Sequence, residues 1–158
     1  MPEENQQKTE QDLCKRIQSL QGLKDYPIRK LVEDAEGFGP YLKRKRLETN
    51  QIRKFLDAIN RVKTTLSQID IDTNKTQQEA NTDEPKKLPE QTKFDYVEAD
   101  IVLLKPKLAY AAARQSSAQP LSDVMSVAID KVHSVQDFER LVQFIEAIIA
   151  YHKAAGGK

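Results

Sequence analysis

The 158-residue sequence contains one cysteine, two histidines, five glycines and no tryptophan. A single cysteine, Cys14, excludes an internal disulfide and a cysteine-based zinc site. His133 and His152 have neither a neighbouring cysteine nor the spacing of a histidine pair, so we expect no metal and no other cofactor. No apolar run approaches the roughly 18 residues of a membrane span, and the polar amino terminus does not resemble a secretory signal. These features predict a soluble, cytoplasmic protein.

Recognisable catalytic motifs are also lacking. The sequence has no glycine-rich phosphate loop and no Ser-His-Asp or His-Cys set. His152 lies in line with the apolar stripe of the last predicted helix, where a histidine more commonly packs or binds a carbonyl group. Glu146 on the same helix has no partner that would assign it a general-acid role. We therefore expect a protein that is not an enzyme.

Strong charge is present, but it is unevenly distributed. The net charge of the whole chain is only +1. Residues 41–65 carry eight basic and two acidic side chains, a net charge of +6, whereas residues 66–100 carry four basic and nine acidic ones, a net charge of −5. Because the local field steers a polyanion, the basic segment is the candidate binding surface.

Apolar periodicity predicts an all-α fold, a compact bundle of about five helices in a single domain spanning residues 1–158. The clearest helix follows Thr49, its expected N-cap, and the second follows Ser134, which forms a capping box with Asp137. Pro120 lies near the first turn of a shorter helix. Weaker patterns predict helices near residues 11–20 and 27–38. The core stripes of the two long helices are Ile52, Phe55, Leu56, Ile59, Val62, Leu66 and Ile69, and Phe138, Leu141, Val142, Ile145, Ile148 and Ile149.

Two segments contain too few apolar residues to be ordered on their own. Residues 70–94 are polar, net acidic and contain two prolines, which predicts a long flexible loop. Residues 1–12 are polar and are expected to form a disordered tail.

The stretch LLKPKLAYAAAR, from Leu103 to Arg114, combines three cations with a proline inside an apolar helical pattern. Either one helix kinks at Pro106, or Pro106 opens a second helix. Beyond the proline, Lys107, Tyr110 and Arg114 lie along one line of the helix. Cations neutralise phosphates and a ring stacks on bases, so this row suits a nucleic acid. The alternative is a solvated basic face, with Tyr110 and Tyr151 closing the edge of the core.

Further cations lie in and after the segment LKRKRLETNQIRK. Lys54 and Arg61 are seven residues apart and form a basic edge beside the apolar stripe of the first long helix. The candidate nucleic-acid-binding residues in this part of the chain are Arg44, Lys45, Arg46, Arg53, Lys54 and Arg61.

Three blocks, TNQIRKFLDAINRVK, LLKPKLAYAAAR and FIEAIIAYHKAAGGK, resemble the signature blocks of the small subunit of the type III-A CRISPR interference (Csm) complex. The resemblance runs from about Gly37 to Lys158. It implies a small all-helical, non-catalytic protein, several copies of which line a ribonucleoprotein filament and contact crRNA and target RNA. The implied partners are these RNAs, the backbone and large subunits of the complex, and neighbouring copies of the chain.

The resemblance also implies roles for individual cations. Lys105, Lys107 and Arg114 match the Lys-Pro-Lys and the following arginine of the second block and would face the RNA, with the proline bending that surface. Arg53 and Lys54 match the basic pair of the first block. Lys153, which follows the Tyr-His of the third block, is added to the candidate RNA-binding residues.

Three other hypotheses remain open from the sequence. The chain could be the small subunit of the sister type III-B complex, although KPKLAYAAAR argues against it. It could be a helical adaptor whose basic edge meets an acidic protein. It could also be a small ribonuclease that uses His152 and Lys153.

Overall fold

A computed structural model describes residues 2–79 and 89–158, with side chains for residues 10–70 and 89–158. Within these residues every regular element is helical, which confirms the all-α class. The described residues form seven α-helices where about five were expected, in part because two separate helices meet near Pro106. The α-helices are α1 (Pro2–Gln18), α2 (Ile28–Arg44), α3 (Thr49–Glu79), α4 (Glu90–Val102), α5 (Leu104–Arg114), α6 (Gln119–Asp130) and α7 (Val135–Ala154), and short 3₁₀ turns cover Leu23–Asp25 and Ser116–Ala118.

Helix α7 is the centre of the bundle. It packs most extensively against α2 and also contacts α3, α4 and the first 3₁₀ turn, while α6 packs against α1 and α5. The predicted stripe of α7 is buried except for the half-buried Ile149, and Phe144 joins it. On α3, Ile52, Ile59 and Val62 are likewise buried. Amphipathic periodicity therefore located the core faces of both long helices correctly. No helix in the described part of the chain is long and apolar enough to cross a membrane.

The two predicted caps differ in outcome. Ser134 is the N-cap of α7, and its hydroxyl accepts a hydrogen bond from the backbone N–H of Asp137 at 3.1 Å. Thr49 is the first residue of α3 rather than the residue before it, and its hydroxyl lies 3.3 Å from Nδ1 of His152. The backbone N–H of Glu48 instead donates to Oε1 of Gln51 at 3.4 Å, a contact of the kind made in a capping box.

Pro106 lies in the first turn of α5, and Leu103 separates α5 from the end of α4. The alternative in which the proline opens a second helix is therefore the observed one. A proline in the first turn loses no intrahelical hydrogen bond, because the N–H groups there have no helical acceptor. The bend that the resemblance implied is thus a junction of two helices rather than a kink within one.

Helices of the structure cover parts of both segments that were predicted to be flexible. Helix α3 continues to Glu79 and α4 starts at Glu90, and an ion pair between Asp70 and Lys93 joins the two helices. Polar residues such as Gln, Glu and Lys extend a helix that is already nucleated, even without an apolar face. Residues 80–88 of the predicted loop lie outside the described residues. Residues 2–12, predicted as a disordered tail, belong to α1, and proline followed by two glutamates favours a helix start.

Helix α2 passes through Gly37, Gly39 and Pro40, where the sequence pattern suggested an end. The contact of Gly39 with α7 explains why α2 continues past this glycine. A Cβ atom on Gly39 would lie 2.6 Å from the backbone nitrogen of His152 in α7, so only glycine allows this approach. The extended helix buries Phe38, Tyr41 and Leu42. Among the apolar residues at helical spacing in the first half of α2, Leu31 and Ala35 are buried, while Ile28 and Val32 are exposed.

Candidate nucleic-acid interface

A groove of about 820 Å³ lies between the first half of α3 and helix α5. Five of the candidate residues from the sequence line it, two on the α3 side and three on the α5 side. Phe55, Leu108, Ala118 and Leu121 provide apolar, buried walls below them. We call this feature the α3–α5 groove, and its polar lining residues are Glu48, Asn50, Gln51, Arg53, Lys54, Asp57, Lys107, Tyr110, Arg114 and Gln115.

The charge of the α3–α5 groove is positive, with four cations against the carboxylates of Glu48 and Asp57. The side chains of Arg53, Lys54 and Lys107 are exposed, and none of them pairs with an acidic side chain within residues 10–70 and 89–158. Cations that no protein carboxylate neutralises leave a positive field inside a concave surface, which attracts an anion.

Arg114 and Tyr110 interact with each other across one turn of α5. The guanidinium carbon of Arg114 lies 5.8 Å from the centroid of the Tyr110 ring, within cation–π range. Tyr110 nevertheless remains 65% exposed. This exposure excludes the alternative in which Tyr110 closes the edge of the core, a role that the half-buried Tyr151 fits instead.

The remaining candidate residues lie outside this lining. The ammonium of Lys105 pairs with the Asp130 carboxylate at 2.5 Å, so Lys105 and Lys107, two residues apart, point in different directions. Arg61 is exposed on α3 beyond the groove, and Lys153 is exposed on α7. Arg44, Lys45 and Arg46 are exposed at the end of α2, where the Lys45 ammonium lies 5.7 Å from the Tyr41 ring centroid.

Tyr41 connects this end of α2 to a half-buried carboxyl group on α1. Its hydroxyl donates to Oε2 of Glu10 at 2.8 Å. Burial raises the pKa of Glu10, and the neighbouring Asp123 raises it further, while the bond from Tyr41 and the charge of Lys45 lower it. Lys45 thus already faces an acidic group of the protein, unlike the cations of the α3–α5 groove.

His152 is fully buried, and both ring nitrogens have partners. Nε2 lies 2.7 Å from the carbonyl oxygen of Leu47, and Nδ1 lies 3.3 Å from Oγ1 of Thr49. A carbonyl only accepts, so Nε2 carries the proton, and Nδ1 accepts from the threonine hydroxyl. The prediction that His152 packs or binds a carbonyl is confirmed. A histidine without solvent access cannot serve the ribonuclease hypothesis.

Around His152, residues at the end of α2 and just after it contact the end of α7. We call this region the α2–α7 junction and define it by Gly39, Lys43, Leu47, Thr49, His152 and Gly157. The Lys43 ammonium donates to the carbonyl of Ala155 at 2.5 Å, and the N–H of Thr49 donates to the carbonyl of Lys158 at 2.7 Å. A Cβ atom on Gly157 would lie 2.2 Å from the imidazole of His152, so the ring packs directly on this glycine.

Both helices of the junction end in the same backbone motif. The N–H groups of Arg46 and Leu47 donate to Lys43 and Leu42, a Schellman pattern that places Arg46 at φ +68°. Gly156 takes the equivalent place after α7 at φ +93°. Arg46 therefore has a structural position that normally favours glycine, which the basic cluster KRKR concealed in the sequence.

The carboxylate of Asp137 is buried, and the sequence pattern predicted only part of its role. Besides following the N-cap of α7, it accepts hydrogen bonds from the backbone N–H groups of Lys24 at 2.7 Å and His133 at 2.9 Å. Its neighbour across this contact is Gly22, where a Cβ atom would lie 2.8 Å from the carboxylate. The capping-box spacing was the only signal available, and it could not reveal the partner 113 residues away.

The chain was compared with models of known protein families. The model of the family Csm2 Type III-A matches residues 25–158. The match begins twelve residues before Gly37, so α2 belongs to the shared region as well. No curated protein and no solved structure matches the chain.

Proposed function

Since the chain belongs to the Csm2 Type III-A family, and is thus a subunit of a type III-A CRISPR complex, we propose that it binds RNA through the α3–α5 groove. The observation that carries the proposal is that Arg53 and Lys54 of one signature block and Lys107 and Arg114 of another line the same groove. Residues about 50 positions apart have no local reason to converge there, and their convergence makes a continuous anionic ligand a natural occupant.

In the assembled complex, several copies would lie along crRNA and target RNA, in contact with the backbone and large subunits and with one another. Affinity would come from phosphate contacts and depend little on sequence. Stacking copies along one RNA would strengthen binding without further contacts by any single copy. The proposed role is non-catalytic, because no step of it requires bond cleavage.

Charge reversal in the groove tests the proposal. Complexes assembled with Lys107→Glu and Arg114→Glu should retain less RNA, and the slope of log affinity against log salt concentration should become shallower by up to about 1.4, because each single-stranded phosphate contact contributes about 0.7. The free energy of unfolding should change by less than about 0.5 kcal/mol, since both residues are exposed.

A matched control is Lys15→Glu with Arg29→Glu, which changes the charge by the same amount at exposed positions outside the groove. Retention of RNA should persist in this control. Equal losses of RNA in the groove variant and the control variant would show that the effect depends on net charge alone. Unchanged RNA retention in the groove variant would show that the groove is not the RNA site. A chain that purifies with an acidic protein and without RNA would instead support the adaptor hypothesis.

A further inference from the structure

The environment of Tyr110 differs from that of Tyr26 and Tyr41, whose hydroxyl groups bind carboxylates of the protein. The hydroxyl of Tyr26 donates to Asp34 and that of Tyr41 to Glu10, and both rings are buried. Tyr110 makes no hydrogen bond with any residue whose side chain the structure describes, and most of its ring faces solvent. An exposed aromatic ring inside a positively charged groove is available for a ligand to stack on.

The surroundings of Tyr110 combine two kinds of surface. Lys107 and Lys54 supply ammonium groups on opposite sides of the groove, whereas Leu108 and Phe55 supply apolar walls. A nucleotide has the same division, because its phosphate is anionic and its base presents an apolar face. A phosphate-only site would not need the aromatic ring or the apolar walls.

Arg114 contacts the ring of Tyr110. Its guanidinium lies within cation–π distance, four residues along the helix, and restrains the ring without covering it. A restrained ring loses less rotamer freedom when a ligand stacks on it, so the pair Tyr110–Arg114 is organised before binding.

From this arrangement, and resting on the proposed RNA-binding function, we propose that the α3–α5 groove takes an unpaired nucleotide, with the base stacked on Tyr110 and the adjacent phosphates on the groove cations. Bases inside a duplex have both faces covered by their neighbours and cannot stack on a side chain. The groove therefore prefers single-stranded over double-stranded RNA, whatever the base.

The test combines a protein change with a matching RNA change. The probes are a fluorescein-labelled oligouridine of about 12 nucleotides, which fits the single-strand site sizes known for stacking proteins, and the same oligomer lacking all bases. Affinity is measured by anisotropy with the wild-type chain, Tyr110→Phe and Tyr110→Ala. Tyr96→Ala, an equally exposed tyrosine on α4 outside the groove, is the matched control.

We expect Tyr110→Ala to weaken binding of oligouridine at least about fivefold with an unchanged salt slope, because a stacked base is lost while the cations remain. Tyr110→Phe and Tyr96→Ala should bind like the wild type. The abasic oligomer should bind the wild type as weakly as oligouridine binds Tyr110→Ala, and removing the bases should cost Tyr110→Ala nothing further.

The outcomes separate this inference from the proposed function. If Lys107→Glu with Arg114→Glu weakens binding but Tyr110→Ala and the abasic oligomer do not, stacking is wrong and phosphate binding stands. If neither the charge reversal nor Tyr110→Ala changes affinity, both proposals fail. Equal affinity for oligouridine and for a duplex of the same length would also overturn the preference for an unpaired nucleotide.

Discussion

The α2–α7 junction and the α3–α5 groove both bring polar side chains together from distant parts of the chain, but the two regions differ in how far these side chains are buried and hydrogen-bonded. In the junction, His152 is fully buried and each ring nitrogen has a protein partner. In the groove, Lys107 and Tyr110 are exposed, and neither makes a hydrogen bond to the side chains described. The contrast separates polar residues that stabilise the fold from those left available to a ligand.

This comparison makes the strongest prediction at His152. His152→Ala should lower the free energy of unfolding by about 3 kcal/mol, because it opens a cavity and leaves the buried carbonyl of Leu47 without a donor. Chemical denaturation of the purified chain measures the loss. His133→Ala, at the exposed histidine, is the control and should change stability by less than about 0.5 kcal/mol. Similar losses in both variants would refute the structural role assigned to His152.

The close approach of α2 to α7 is tested by two glycines of the same helix. Gly39→Ala should destabilise the chain by about 1–3 kcal/mol, because its Cβ atom would meet the backbone of His152 and Tyr151. Gly37→Ala meets no atom within 4 Å and should stabilise α2 by about 0.5–1 kcal/mol. Thermal unfolding of the two variants should thus shift in opposite directions. Shifts of the same sign would contradict the contact at Gly39.

The smallest effect concerns Arg46, which the sequence grouped with the RNA-binding cations and the structure places in a helix-ending motif. Arg46→Gly should stabilise the chain by about 0.5–1 kcal/mol, because glycine adopts a positive φ without strain. Affinity for single-stranded RNA should fall by far less than in the Lys107→Glu and Arg114→Glu variant. A large loss of affinity would show that Arg46 contacts RNA in addition to ending α2.

Much of the fold follows from local patterns in the sequence. The stripes of α3 and α7 span several turns, so their period identified the buried faces, and Ser134 was recognisable as a cap. Helix α2 was harder, because Gly37, Gly39 and Pro40 normally indicate a helix end. Tertiary contact with α7 overrides that signal at Gly39, and a contact with a helix more than 100 residues away leaves no local pattern.

The candidate site was predictable in its residue types but not in its assembly. Periodicity placed Lys107, Tyr110 and Arg114 on one side of α5, and all three line the groove. It could not show that Lys54 on α3 faces them, nor that Lys105 turns away to pair with Asp130. Charge clusters reveal where cations are abundant, whereas burial and pairing decide which of them remain available.

The sequence separations within the α2–α7 junction have a consequence for how the chain acquires its structure. Its polar bonds join residues 103 to 112 positions apart, among them Thr49 with His152 and Lys43 with Ala155. During synthesis, the turn after α2 leaves the ribosome long before these partners exist, so it cannot close in its native form. The contacts of the α2–α7 junction therefore form late in folding, when α7 packs against elements that were made first.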